Sequence, residues 1–342
     1  MDVQNNIVKE VEEEGCCKSQ KIEGQEVKKE LYDIELLNEF NRFKNRVIDS
    51  HCHIHEDQNE IDMVKNNDNY NNDSNNSTAS NNKEKLSFSQ SWLMGTTVPD
   101  WDRVNSYASV MGDRAIRCFG IHPWFVHLVH PPQSLLETNP AGDPTKMVMD
   151  SYPTVIDSSW PEKMKQLLLQ HPDAMVGEIG VDKVTKCRAT GKNEQEPQWV
   201  VFNRQIEIAA ELNRLVSLHC VQLHGKLLDY FIALPLARMP RKIALHTFSG
   251  KPSTVTSFAK MKEGKGSRFY FGISFINLSS SKVSKMIQAI PDNRLLLESD
   301  QNTPTEAESS VFQVVLEISK AKSWTIQQTI VVTRNNAIEF LK

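Results

Sequence analysis

The feature that most constrains this chain is an alternation. Short apolar runs are separated by longer segments whose apolar residues recur every three or four positions. The runs read as buried strands and the longer segments as helices. Strands are predicted at 46–50, 92–97, 115–121, 174–179, 215–219, 242–246, 269–273 and 294–298. Helices are predicted at 102–111, 160–170, 197–213, 225–233, 252–262, 280–289, 306–322 and 325–341. A helix between two strands carries the chain back across the sheet, so the strands run parallel. Eight of them predict an α/β fold of the closed (β/α)8, or TIM-barrel, kind. The competing open, doubly wound sheet ordinarily has a Gly-rich phosphate loop after its first strand. Here His51-Cys52-His53 stands in that place.

In a (β/α)8 barrel the reactive groups gather where the strands end. After the first strand come Asp49, His51 and His53, which project to one side of an extended chain. Two imidazoles two residues apart suit one metal ion. Glu178 lies in the apolar run Val176-Gly177-Glu178-Ile179-Gly180, where an unpaired charge is costly, so it needs a cation. His219 ends the fifth strand, His246 the sixth, and Leu297-Glu298-Ser299-Asp300 the eighth. A single histidine at a strand end is ordinarily a hydrogen-bonded core residue. Four histidines with Glu178 and Asp300, gathered on one rim from five strands, point instead to a metal site. Mixed imidazole and carboxylate donors suit Zn, Mn or Fe, whereas an all-oxygen set would suit Mg or Ca.

Other residues on that rim carry two readings each. His122, in Gly120-Ile121-His122-Pro123, either contacts substrate or caps its loop. Asp49 either fixes the tautomer of a metal-binding histidine or forms a turn. Lys183, Lys186, Arg188 and Lys192 follow Glu178 and either meet a nucleic-acid backbone or form a solvated loop. Trp124 and Phe125 either stack on a base or pack their loop.

Residues 1–46 read as a charged extension with one amphipathic helix, since Leu31, Ile34, Leu37 and Phe40 recur at three-residue steps. Residues 47–342 read as the barrel. The stretch 66–82 holds nine Asn among 17 residues. Such a composition cannot bury enough apolar surface to offset its ordering entropy, so a disordered insertion is expected at about 57–90. A second, shorter surface loop is expected at 139–157.

Net charge also limits function. With 39 Lys and Arg against 43 Asp and Glu the chain carries −4, so any hold on a polyanion must come from a local patch. Mean hydropathy is −0.44, and no apolar stretch approaches the roughly 18 residues that span a bilayer, so no membrane association is expected. The polar, acidic start lacks a secretory pattern, and the six cysteines include no C-x-x-C pair. A cytoplasmic protein with reduced thiols, with access to the nucleus, is expected.

The ordered motifs Asp49-Ser50-His51-Cys52-His53, Gly120-Ile121-His122-Pro123, Gly177-Glu178-Ile179-Gly180-Val181-Asp182, Phe202-Asn203-Arg204-Gln205 leading to His219, His246-Thr247-Phe248-Ser249-Gly250 and Glu298-Ser299-Asp300 resemble the TatD family of metal-dependent hydrolases, among the amidohydrolase-like barrels. The likeness runs over residues 47–341 and extends to the fungal branch described as associating with an anaphase-promoting-complex subunit. It implies two divalent ions per chain (Mg, Mn or Zn). Glu178 would bridge them, with His51, His53 and Asp300 on one side and His219 and His246 on the other. It also implies Asp300 as general base and phosphodiester hydrolysis by a metal-activated water. The family's activity is 3′ to 5′ deoxyribonuclease, with single-stranded DNA or 3′ ends as substrate; some members deacylate D-aminoacyl-tRNA.

Two departures touch substrate recognition. The family commonly has Arg two residues after the fifth-strand histidine, where this chain has Val221, and it proceeds from the eighth-strand Asp almost directly to Pro, where Gln301-Asn302-Thr303 intervenes. Two other classes remain open: a barrel whose main role is protein association, docking through its N-terminal helix or insertion, and a metal-dependent amide or ester hydrolase.

Overall fold

The computed structural model describes residues 34–57, 86–133, 148–149, 152–153 and 157–342. Eight parallel strands form one sheet in chain order: β1 (Ile48–Cys52), β2 (Gln90–Met94), β3 (Ala115–Phe119), β4 (Met175–Asp182), β5 (Val216–Val221), β6 (Ile243–Leu245), β7 (Phe269–Ile273) and β8 (Leu295–Leu297). Nine α-helices lie among the described residues: α1 (Ile34–Phe43), α2 (Asp100–Met111), α3 (Trp160–Gln170), α4 (Gln195–Glu211), α5 (His224–Ala233), α6 (Pro252–Ala259), α7 (Val283–Ala289), α8 (Pro304–Lys322) and α9 (Ile326–Leu341). The (β/α)8 barrel expected from the alternation is the observed fold.

Alternation along the strands sorts their side chains into two cores. Trp92, Met94, Ile116, Cys118, Met175, Ala244, Tyr270 and Leu296 form the inner one, which Ala337 and Phe340 of α9 join. The Phe340 ring stacks on Trp92 at 5.3 Å and meets Tyr270 edge-on at 5.1 Å, closing the end at which the strands begin. The larger core lies between strands and helices, with Phe119, Phe202, Phe231, Phe258, Phe269 and Phe271 fully buried.

The ladder between β8 and β1 is replaced by bonds from the loops that follow them. Asp300 N–H donates to the His51 carbonyl (2.9 Å), His53 N–H to the Gln301 carbonyl (2.8 Å) and Ser50 Oγ to the Leu297 carbonyl (3.0 Å). The barrel is thus shut at the level of the candidate ligands. Two shifts in register also fall there, between Asp49 and Cys52 on β1 and between Val176 and Ile179 on β4. Such irregularities re-aim side chains, and here they bracket His51 and Glu178.

Several boundaries move from their expected places. β1 runs to Cys52 because the chain stays extended through His51, and β4 continues to Asp182 because Gly180, Val181 and Asp182 keep pairing with β5. Helix α1 sits on the barrel: Phe40 is buried against Phe312 with ring centroids 5.1 Å apart, and Lys44 pairs with Glu308 at 2.8 Å. Residues 1–33 lie outside the described residues, as do 58–85 of the expected Asn-rich insertion. Leu86 and Phe88 are buried, so the expected span reaches too far toward β2. Of the expected loop at 139–157, only the short antiparallel pair Val148–Met149 with Tyr152–Pro153 and Asp157 are described.

His127, on the turn Pro123–Leu128, is buried, and burial together with the nearby Arg188 cation pushes its pKa from 6.5 down to about 4. The unfolded chain therefore takes up a proton between pH 6.5 and 4 that the folded chain refuses, and stability falls as pH drops through that window. A His127→Gln variant is expected to lose less stability between pH 7 and 4.5 than the wild type in urea unfolding. Parallel losses would contradict this.

Candidate metal centre

Glu178 leaves β4 at its register shift and enters the mouth of the barrel, where it is 3% exposed. Its two oxygens face different imidazoles. Oε2 lies 3.4 Å from His51 Nε2 and 3.6 Å from His53 Nε2. Those two nitrogens also face Asp300 Oδ1, at 3.8 and 3.9 Å. Oε1 lies 3.0 Å from His219 Nδ1, 3.0 Å from His246 Nε2 and 3.4 Å from His122 Nε2. The structure thus brings together all six residues expected as metal ligands, with His122 beside them.

The donor set fits divalent cations. His51 Nε2 is buried with no hydrogen-bond partner. Two ligand atoms each about 2.1 Å from a common tetrahedral ion are about 3.4 Å apart, and the separations on the Oε2 side run from 3.4 to 3.9 Å. They are at or beyond the long end of hydrogen bonding and match the spacing of ligands to a shared ion. Nitrogen and oxygen donors together match Zn and Mn. His51, His53 and Asp300 form one group with ligand atoms in reach of each other, and His122, Glu178 and His219 another.

Electrostatics keep Glu178, Asp300 and His53 in ligand form, while, against the effect of burial, Asp182 and Glu178 raise the pKa of His219, and Glu178 and Asp300 that of His246. Burial alone would raise the Glu178 pKa, but His122, His246 and His51 hold it well below the carboxylate range. Asp300 is likewise lowered, burial being outweighed by His246, His51 and His53. His53 is pushed down to about 4 by burial and by His51, so it is neutral at pH 7. Its Nδ1 faces the Met94 carbonyl at 3.1 Å; donating there leaves the Nε2 lone pair free.

His122 is built differently. Its Nδ1 accepts the Trp124 N–H at 3.3 Å, so the proton sits on Nε2, which points at Glu178. That makes it a donor toward the centre. Asp49 bonds to no histidine ring. Its Oδ1 accepts from Ser299 N–H (2.8 Å) and its Oδ2 from Ser299 Oγ (2.6 Å), across the barrel's seam. The tautomer-fixing reading of Asp49 gives way to one in which it seats the backbone beside Asp300. An Asp49→Ala chain takes the acceptor from three buried donors, Ser299 N–H, Ser299 Oγ and His51 N–H, and is expected to lose about 2–4 kcal/mol of stability; denaturant unfolding would read this.

Lys183 and Arg188 lie exposed on the loop after β4, and the Arg188 guanidinium covers the Phe125 ring at 5.0 Å. Phe125 is thereby occupied by its own chain. Trp124 is half-buried, with its Nε1 donating to Asp182 Oδ2 at 2.9 Å. The departure at 301–303 is integrated into the fold. Gln301 accepts from His53, Asn302 Nδ2 donates to Glu56 Oε2 (2.9 Å), and Thr303 Oγ1 caps α8 by accepting from Glu306 N–H (3.2 Å).

Asp182, Glu298, Ser217 and Thr247 also surround the candidate ligands; the first two and Thr247 stood in the quoted motifs without being given a role there, and Ser217 stood outside them. Asp182 lies four residues after Glu178 and Glu298 two before Asp300, so alternation along extended chain was the available signal. Thr247 had only its place in the motif after His246, and Ser217 offered none.

Residues 48–342 match the model of the family described as TatD related DNase. The chain belongs to that family of metal-dependent hydrolases. It is 27% identical to the Cut9-interacting protein scn1 of Schizosaccharomyces pombe, over 86% of this chain and 98% of that one. It is 26% identical to an uncharacterized deoxyribonuclease of Saccharomyces cerevisiae over 61% of this chain and 74% of that one. Among solved structures, the TatD homologue YJJV of Escherichia coli aligns over 86% of this chain and 97% of its own, with TM-score 0.59 and 19% identity, a likeness of fold.

Proposed function

We propose that this TatD-family chain hydrolyses phosphodiester bonds at the 3′ end of single-stranded DNA, using two divalent cations with Glu178 between them. The observation that carries this reading is the division of the Glu178 carboxylate. Oε2 faces His51 and His53 with Asp300, and Oε1 faces His219 and His246. Bound there, such cations supply Lewis acidity toward water and toward a phosphoryl oxygen. Asp300 is deprotonated at neutral pH and has its Oδ2 held by Thr247 Oγ1 at 3.1 Å, which suits it to accept a proton from the attacking water. His122, with its proton on Nε2, donates to the phosphate or the leaving oxygen. Lys183 and Arg188 take the place of the missing Arg after His219 as contacts to the nucleic-acid backbone.

The substrate class is supported by relatives named as deoxyribonucleases; a human relative, 26% identical over 49% of this chain and 23% of its own length, is named a 3′-5′ RNA nuclease. The test is time-resolved degradation of 3′-labelled and 5′-labelled single-stranded DNA and RNA in Mg or Mn, with and without chelator. Loss of the 3′ label from DNA, stopped by chelator, is the expected result. Preference for RNA would change the substrate, and turnover of neither polymer by metal-loaded protein would move the reaction to another ester or to an amide.

A second reading is association with a protein partner, which the name of the Schizosaccharomyces pombe relative supports. Helix α1 exposes Ile34 and Leu37 while Phe40 anchors it. Replacing Ile34 and Leu37 by Ser would abolish capture of an anaphase-promoting-complex subunit if α1 is the docking element; undiminished capture would refute that.

A further inference from the structure

The histidines of the centre are backed in two ways. His53 Nδ1 faces a neutral carbonyl, Met94 O at 3.1 Å, and His51 Nδ1 a neutral hydroxyl, Ser217 Oγ at 3.1 Å. His219 Nε2 shares a hydrogen bond with the Asp182 carboxylate at 3.4 Å, and His246 Nδ1, which has no hydrogen-bond partner, lies 3.4 Å from the Glu298 carboxylate as an ion pair. This division coincides with the two sides of Glu178. The Oε2 side has an anion of its own, Asp300. Among the described residues, the inner nitrogens on the Oε1 side, His219 Nδ1 and His246 Nε2, are paired with no carboxylate besides the shared Glu178, and it is there that the imidazoles are backed by charge.

We infer that Asp182 and Glu298 are positioning residues that supply the Oε1 side with the negative charge its ligand set lacks, and so hold the second cation. This rests on the two-cation reading above. An imidazole that donates its outer N–H to a carboxylate is fixed in orientation and becomes a stronger donor at its inner nitrogen.

Both carboxylates are preset. Asp182 accepts from Trp124 Nε1 (2.9 Å) and from the N–H groups of Val184 (2.7 Å) and Thr185 (3.0 Å). Glu298 is 1% exposed and accepts from the Thr247 N–H, and Thr247 Oγ1, whose one proton serves either Glu298 or Asp300, lies 3.1 Å from it. Those bonds hold Thr247 in a left-handed conformation, φ 41°, which a β-branched residue otherwise avoids, immediately after His246. Opposite Glu298, residue 272 is Gly, and a Cβ there would overlap the Glu298 carboxylate. The space for this carboxylate is built into β7.

The experiment is calorimetric titration of the full, chelator-stripped chain with Mn²⁺. Wild type is expected to take two equivalents, and a single equivalent would refute the two-cation reading itself. Given two, Asp182→Asn and Glu298→Gln are each expected to weaken one equivalent by about 10- to 100-fold and leave the other unchanged. The weakened equivalent must be the one lost in His219→Ala and kept in His53→Ala. Weakening of both equivalents, of neither, or of the one lost in His53→Ala would overturn the inference. A merely structural role would lower the thermal midpoint of the stripped protein without choosing between equivalents. Trp124→Phe, which removes one donor from Asp182 but keeps its charge, is expected to weaken the same equivalent by less. An effect on the opposite equivalent would count against the inference.

Discussion

Glu178→Ala is expected to lower metal-dependent kcat/KM on the order of 10³-fold or more, and to abolish tight binding of divalent ions. The size follows from position. Glu178 is the carboxylate that faces His51, His53, His122, His219 and His246 together, at 3.0 to 3.6 Å. Its removal leaves five imidazoles around a common space without the anion that makes a cation welcome there. Glu178→Gln keeps the volume and cancels the charge, so it separates the two contributions; it too is expected to lose ion binding. Contaminating nuclease would survive both substitutions. Activity within about tenfold of wild type in either variant would place the reactive centre elsewhere.

Gly180→Ala is expected to cost about 3 kcal/mol or more of stability. Gly180 pairs with His219 in the β4–β5 ladder, and a Cβ at 180 would overlap the carbonyl oxygen of His219. No rotamer change relieves that overlap, since both partners are backbone, so the two strands must separate where they carry Glu178 and His219. Gly225→Ala, on α5 with open space around the added Cβ, serves as the control. It is expected to be neutral or to stabilise by up to about 1 kcal/mol. Guanidinium unfolding of both stripped variants reads the difference, and a loss below about 1 kcal/mol at Gly180 would show that the strands tolerate separation.

The fold was legible because most strands are apolar runs and most helices keep their period. The candidate ligands stood out because they are polar residues at strand ends against such runs: Glu178 in the middle of β4 has no reason to be charged unless something pairs with it. What could not be read were cross-chain partners. Asp49 looked equally like a turn former or a histidine support, and its actual partner, Ser299, lies 250 residues away. Ser217 and Thr247 are unremarkable as sequence, and only closure of the barrel brings them to His51 and Asp300. The loop at 301–303 looked like a loss of a family feature. In the fold its backbone accepts from His53 and its side chain reaches Glu56, neither of which spacing can show.

The missing ladder between β8 and β1 has one more consequence. A closed barrel has no free edge, but this one is joined at that point by the backbone of His51, His53 and Asp300 themselves. The same three residues that would grip a cation also act as the clasp of the ring. Any ion that binds them therefore tightens the clasp, by an amount that grows with the logarithm of its free concentration above Kd. Chelation would do more than switch off a reaction: it would loosen the hoop at its weakest joint, leaving β1 and β8 the first strands to exchange their amide hydrogens with solvent.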